Sequence, residues 1–394
     1  MPGTRNPMSR DHVRPLLVLL MGALTCWNAG AHAQQIETSA RHAYMVDFNT
    51  GAVLLDKASD VAMPPSSMSK LMTAYMVFER LKEGSLSFND TLPVSEKAWR
   101  MQGSKMFVHV GNRVSVQDLI RGVIIQSGND ACIVLAEGLA NSEQAFAEAM
   151  NKKAKQIGLT NSNFTNSTGW PDDRHVMTAR DLVTLSQRLI VDFPEYYKFY
   201  SQIDFTYNNI KQGNRNPLLY KKMGADGLKT GHTDLAGYGL AASVKRGDRR
   251  LILVVNGLRS MQERSDETER LIEWGFREFD NYALFKPGQQ VTDAAVWLGT
   301  QQSIPLIAER TAEITLNRRV RKDMKVTAIL DEPVPAPIKK NSVVGKLVVT
   351  APGMNPVEVP LLAGADVEKL GFFSRISAAV SHILWGPPQK VASR

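Results

Sequence analysis

Alternating apolar and polar positions open the readable part of the chain. His42 to Phe48 and Ala52 to Leu55 flank the turn residues Asn49, Thr50 and Gly51 and predict a hairpin. Pro64 and Pro65 stop extended structure, and Ser66 is placed to cap a helix through Met68, Leu71, Met72, Tyr75 and Met76, apolar at helical spacing. Ser115 to Asp118 form a capping box for a helix reaching Ile125, and Asp130 begins another, so Ser127, Gly128 and Asn129 make the sharp turn between them. Ser142 and Thr178 cap helices ending near Gly158 and Phe193, separated by a polar, turn-rich loop from Asn161 to His175.

Strand character returns at Asp226 to Gly231, Tyr238 to Val244 and, after a turn at Arg246 to Arg249, Leu251 to Val255; a helix from about Asp266 to Phe279 follows. Strands at both ends with helices between them imply one sheet with a mainly helical lobe, an α+β class with a cleft where sheet and lobe meet. From Phe285 to Leu362 short Val, Ile and Thr runs broken by Pro and Gly, among them Ala312–Leu316, Lys325–Leu330 and Lys346–Thr350, predict a small all-β domain in which Pro333 to Pro337 form a stiff loop. In the last segment Phe372, Phe373, Ile376, Val380, Ile383 and Leu384 share one helical face opposite Ser374, Arg375, Ser377, Ser381 and His382, and Pro387 stops the helix. Such a helix lies in a membrane interface.

Arg5, Arg10 and Arg14 before an apolar run from Leu16 to Leu24, with Ala31 and Ala33 as a small-residue cleavage site, read as a secretory signal peptide. The run is too short for the roughly 20 apolar residues that span a bilayer. The boundaries are therefore 1–33 for the signal, 34–280 for the α+β domain, 281–365 for the all-β domain and 366–388 for the amphipathic helix. Removing the signal takes three arginines and Asp11, so the formal charge of +8 falls to +6, a modest excess suited to an anionic surface; no nucleic-acid motif is present. Cys26 leaves with the signal, and Cys132 alone cannot form an internal disulfide; it reads as a small buried apolar residue. The seven histidines show no metal-ligand spacing, and no metal or cofactor is expected.

Chemistry concentrates in three short motifs, Ser67 to Lys70, Ser127 to Asn129 and Lys229 to Gly231. A serine hydroxyl needs a base and oxyanion donors to act as a nucleophile. Three residues apart on a helix, Ser67 and Lys70 share a face, and burial with a second cation such as Lys229 lowers a lysine's pKa towards that of a usable base. Single motifs are weak, since Ser87 to Asn89 also fit Ser-x-Asn; that copy lies in a polar turn, whereas Ser127 stands between two apolar helices.

The ordered triple resembles the active-site serine penicillin-recognising family. Within it, residues 65–73 and 226–238, together with Asn214 to Asn216, Trp274 to Phe276, the β-rich domain and the tail, are similar to the low-molecular-mass D-alanyl-D-alanine carboxypeptidases, penicillin-binding proteins of β-lactamase/transpeptidase-like fold. The resemblance implies Ser67 as acylated nucleophile, Lys70 as base, Ser127 as proton shuttle and Asn129 as orienter of the substrate amide and Lys70. It implies positive charge from Lys229, a grip on the substrate carboxylate by Thr230 and Arg264, and an oxyanion hole from the N–H groups of Ser67 and His232, flanking Gly231. Implied partners are peptidoglycan stem peptides as substrate, β-lactams as covalent inhibitors and the membrane surface through the tail, in the periplasm at the inner membrane. Two other readings are a class A-like β-lactamase and a non-catalytic penicillin-sensing or wall-binding module. Class A β-lactamases use a Glu to activate the deacylating water, and the stretch from Asn161 to Arg180 contains none. Truncation before Asp366 is expected to move the enzyme from the membrane to the soluble fraction with activity intact; unchanged fractionation would defeat the anchor.

Overall fold

The computed structural model describes residues 36–309, 311–374 and 376. The expected signal segment and most of the expected amphipathic tail lie outside the described residues. Chain order begins with the expected hairpin, β1 (His42–Asp47) and β2 (Val53–Lys57), then a 3₁₀ turn (Ser66–Ser69) that runs into α1 (Lys70–Lys82). The lobe follows with β3 (Thr91–Pro93), α2 (Glu96–Arg100), β4 (Arg113–Ser115), α3 (Val116–Ile124), α4 (Asn129–Ala140), α5 (Glu143–Gln156), α6 (Ala179–Asp192) and α7 (Pro194–Tyr197). A hairpin of β5 (Asp204–Tyr207) and β6 (Ile210–Gly213) leads to β7 (Ala225–Thr233), β8 (Gly237–Arg246), β9 (Arg249–Leu258) and α8 (Met261–Glu278).

Five antiparallel strands in the order β2-β1-β9-β8-β7 form the central sheet, which brings the two ends of the domain side by side. Both faces are covered. On β9, Ile252 and Val254 join the core shared with the lobe, while Leu251, Leu253 and Val255 pack in the core shared with α8. Tyr44 and Val46 against Ala43 and Met45 repeat that division on β1, as the two-residue period of a strand requires. A sheet buried on both faces explains why these strands are nearly continuous apolar runs.

Four local expectations change. Ser66 does not cap a helix: it sits in the 3₁₀ turn at φ 51°, and its hydroxyl lies 3.3 Å from Thr233 Oγ1 of β7. The helix expected from Asp266 starts five residues earlier, because Ser260 accepts from the Glu263 N–H as its cap. Asn129, not Asp130, begins α4, since Gly128 occupies the cap position. The stretch from Pro333 to Pro337 is also more ordered than a loop: Val334 and Pro335 form a short strand, β15, parallel to β11 (Gln290–Trp297), a position at a sheet edge that tolerates proline. Ser115, Ser142 and Thr178 cap as expected, each accepting from an N–H three residues on.

Beyond α8, β10 (Phe279–Phe285) pairs with β13 (Ala312–Asn317), and a six-stranded sheet runs β14 (Lys325–Leu330), β16 (Val343–Thr350), β17 (Val357–Ala363), β12 (Ser303–Ala308), β11 and β15. Its core gathers Ile304, Leu306, Ile314, Leu347, Val349 and Leu361. Among the described residues no helix is long and apolar enough to cross a membrane.

A polar hub joins the β-rich part to the central sheet. Asp47, wholly buried at the end of β1, accepts from Arg249 Nε at 2.8 Å and from Asn281 Nδ2 at 3.1 Å, while Arg249 Nη1 donates to the Phe279 carbonyl at 2.6 Å. Thr50 in the first hairpin meets Thr315 of β13, which donates to Asn281 Oδ1. Removing one partner of a buried ion pair strands the other charge, at a cost of about 3–5 kcal/mol. Asp47→Ala is therefore expected to lower stability by that order, read as a fall in the denaturation midpoint, while Thr315→Val, which leaves the ion pair in place, has a much smaller effect.

Candidate active site

The 3₁₀ turn and first turn of α1 present Ser67 and Lys70 together, with Lys70 Nζ 2.9 Å from Ser67 Oγ. Lys70 is 1% exposed, and its two other partners are Asn129 Oδ1 at 2.7 Å and the Thr168 carbonyl at 2.6 Å. Both are acceptors only. A neutral amine has two N–H bonds and one lone pair, so these two acceptors take the N–H groups and leave the lone pair facing the serine hydroxyl. Burial, and then the charge of Arg215, lower the Lys70 pKa to about 8, against opposing contributions from Cys132 and Asp130.

The second motif is the expected turn between helices. Ser127 is buried at φ 58°, the Gly128 N–H donates to the Gly122 carbonyl at 2.8 Å, and the Asn129 N–H to the Ser104 carbonyl at 2.7 Å. Asn129 points its Oδ1 at Lys70 and its Nδ2 at the Gln102 carbonyl.

The third motif runs along edge strand β7, packed against the 3₁₀ turn. A Cβ on Gly231 would lie 2.8 Å from the Pro65 carbonyl oxygen and 3.2 Å from Ser66 Cβ, so glycine lets the strand approach the nucleophile turn closely. Thr230 and Lys229 are buried; Lys229 Nζ donates to the Thr230 carbonyl at 3.0 Å. Burial, Lys70 and Arg215 push its pKa well below the ordinary lysine value. His232 is exposed and stacks on Tyr238 of β8, ring centroids 3.9 Å apart.

Arg264 is withdrawn from solvent although the stretch around it is highly charged. It occupies the first turn of α8 at 7% exposure, with its guanidinium 5.8 Å from the Tyr238 ring centroid and Nε without a partner. Burial lowers its pKa to about 10. The His232–Tyr238–Arg264 sequence thus ties it to the third motif.

Several contributors were not identified from the sequence. Thr168's carbonyl belongs to a loop organised by Asn166, whose Oδ1 accepts from the N–H groups of Thr168, Gly169 and Trp170 and from Thr168 Oγ1. Thr73 of α1 donates to the Ser167 carbonyl, and Ser167 donates to Glu143, which also pairs with Lys97. His175 closes the loop, its Nδ1 accepting from the Thr165 N–H, and burial holds its pKa near 4, hence neutral. Arg215 donates to Ser104 Oγ at the exposed rim. The legible hints were the Asn166-to-Gly169 turn chemistry and the resemblance at Asn214 to Asn216, which contains Arg215. Cys132 is buried and free, its thiol pushed up to about 12 by burial, as befits a packing residue. Among the described residues no cluster of His, Cys, Asp or Glu could hold a metal ion.

Lys70, Lys229, Arg215 and Arg264 bring four basic side chains into one cleft, and among the described residues their hydrogen-bond partners are hydroxyls, an amide and carbonyls, never a carboxylate. Such a cluster suits an anionic ligand.

Residues 29–260 match the family described as D-alanyl-D-alanine carboxypeptidase, and residues 279–369 match the family described as penicillin-binding protein 5, C-terminal domain. The chain is 38% identical over 366 residues to the D-alanyl-D-alanine carboxypeptidase DacC of Escherichia coli K12, covering 91% of this chain and 92% of that one. Penicillin-binding protein 5 of Haemophilus influenzae superposes with a TM-score of 0.77 at 38% identity, over 85% of this chain and 99% of that structure. Penicillin-binding protein D2 of Listeria monocytogenes, solved in an ampicillin-bound form, superposes with a TM-score of 0.56 at 32% identity over 61% of this chain and 98% of that one.

Only the neutral amine of Lys70 can accept the Ser67 proton. Below a pKa of about 8 the ammonium predominates, so the acylation rate is expected to rise about tenfold per pH unit and level off above that value. Stopped-flow labelling by a fluorescent penicillin across pH 5.5–9.5 measures it; a flat profile would remove Lys70 as the base.

Proposed function

The chain belongs to the D-alanyl-D-alanine carboxypeptidase family of serine peptidases, and from that premise we propose that it removes the C-terminal D-alanine from peptidoglycan stem pentapeptides through an acyl-enzyme on Ser67. The observation that carries this reading is the cluster of four cations lacking a carboxylate partner. An exopeptidase must recognise a free C-terminus, and a bidentate guanidinium clamp is the chemistry for it. Thr230 and Arg264 take the terminal carboxylate, and that anion restores the charged form of Lys229 that burial disfavours.

Lys70 accepts the Ser67 proton as Ser67 Oγ bonds to the penultimate carbonyl carbon, and the carbonyl π electrons move onto oxygen. The backbone N–H groups of Ser67 and His232 receive that oxyanion. Collapse breaks the C–N bond, and Ser127 relays a proton to the departing D-alanine amine. Water then cleaves the ester and regenerates Ser67. β-Lactams enter the same first step and remain on Ser67.

Slow deacylation of β-lactams is supported by the loop opposite Lys70. Asp172 pairs with Arg174, Asp181 accepts from Asn161 and Ser162, and Glu143 is committed to Ser167 and Lys97. The β-lactamase and non-catalytic readings are not favoured. The signal peptide and amphipathic tail support export and attachment to the periplasmic face of the inner membrane.

Purified enzyme is expected to release D-alanine from a peptide ending in D-Ala-D-Ala, and Ser67→Ala to abolish both release and fluorescent-penicillin labelling. Replacing the terminal carboxylate by an amide removes a charged hydrogen-bond partner worth roughly 1.5–3 kcal/mol, so kcat/KM should fall about 10- to 100-fold. Rapid cephalosporin turnover without D-alanine release would overturn the assignment.

A further inference from the structure

Asp130, the residue after the second motif, is wholly buried at the start of α4. Its carboxylate accepts four backbone N–H groups: Met106 at 2.9 Å and Ala131 at 2.9 Å on Oδ1, Phe107 at 2.8 Å and Val108 at 3.2 Å on Oδ2. Three consecutive N–H groups aimed at one carboxylate form a nest suited to an anion. Phe107 is held at φ 69°, a conformation that a bulky residue adopts only under constraint. The nest therefore draws the segment from Gln102 to Val108 onto the first turn of α4.

That same segment supplies the two acceptors that orient Asn129, the Ser104 carbonyl for its N–H and the Gln102 carbonyl for its Nδ2. With Nδ2 committed there, Asn129 can present only Oδ1 to Lys70. A rotated amide would aim N–H groups at the amine, oppose its ammonium and leave its lone pair misdirected. Little room exists for another arrangement: a Cβ on Gly128 would lie 2.9 Å from Asp130 Oδ1 and 3.1 Å from the Met106 nitrogen.

We propose that Asp130 is a positioning residue for the acylation step, setting through the 102–108 segment which end of the Asn129 amide meets Lys70. The proposal rests on Lys70 and Asn129 acting as assigned above. Asp130 reaches substrate only through Asn129. Its buried negative charge also favours the Lys70 ammonium, against the positive charge of Arg215 at the rim, while burial depresses the pKa of Lys229 on β7 and leaves the Cys132 thiol and His175 in the opposite loop neutral.

Asp130→Asn presents an NH₂ to N–H donors and disrupts the nest, while Asp130→Glu keeps the charge but shifts its oxygens by one methylene. Rates are taken per active site, titrated with fluorescent penicillin, so that partial unfolding does not enter. For Asp130→Asn, acylation is expected to fall at least tenfold with KM within twofold, and the rise of rate with pH to move to lower pH. For Asp130→Glu, the second variant should the Asn variant fail to fold, the rate is expected to fall with the pH profile in place. In an Asn129→Ala background the Asp130 substitutions should have under threefold effect, because the group they position is gone. Equal losses in both backgrounds, or loss of thermal stability with unchanged rate per site, would overturn the proposal. Full activity of Asn129→Ala alone would instead show that the Lys70–Asn129 assignment beneath it is wrong.

Discussion

A lysine amine enclosed by two obligate acceptors and one hydroxyl is the interaction on which the remainder of the site depends. Because Asn129 Oδ1 and the Thr168 carbonyl can only accept, the neutral amine has one orientation, with its lone pair on Ser67. The same enclosure removes water and lowers the pKa, so orientation and basicity have one physical origin. Each acceptor comes from a different element: Asn129 from the start of α4, Thr168 from the loop before α6. The helical lobe must therefore be assembled before Lys70 is held in this way beside Ser67.

The central sheet supplies the opposite wall. Buried on both faces, its strands cannot slip by one residue without exchanging their two cores. That register places Lys229 to Gly231 on the edge strand against the 3₁₀ turn, where the missing Cβ of Gly231 permits the close approach. Positive charge then accumulates along one side of the cleft, with no carboxylate of the described residues hydrogen-bonded to it. In the proposed reading these cations await a ligand that brings its own carboxylate, and burial lowers the pKa of both Lys229 and Arg264.

Much of this architecture is legible from local pattern. Hairpin and helix boundaries followed where the determinant lay within a few residues: Asn49 to Gly51 in the turn, and Ser115, Ser142 and Thr178 as caps. Local pattern was less informative where a distant partner competed. Ser66 has the composition of a cap, but its hydroxyl lies beside Thr233 across the cleft. Asp130 has the composition of a helix-start carboxylate, yet most of its hydrogen bonds go to N–H groups more than twenty residues away. Arg264 stands in a charged stretch, and only the packing of α8 against β8 shows that its guanidinium is withdrawn over Tyr238.

The sequence by itself determined the α+β class, the order of the elements and the three motifs, because strand alternation, helix caps and motif residues are short-range properties of the chain. Tertiary structure alone decided the hydrogen-bond polarity of the site: which face of Asn129 meets Lys70, which loop carbonyl completes its enclosure, and which charges go unpaired. Those depend on groups separated by tens to hundreds of residues. Their energies turn on burial and on ångström-scale geometry, neither of which is written in local spacing.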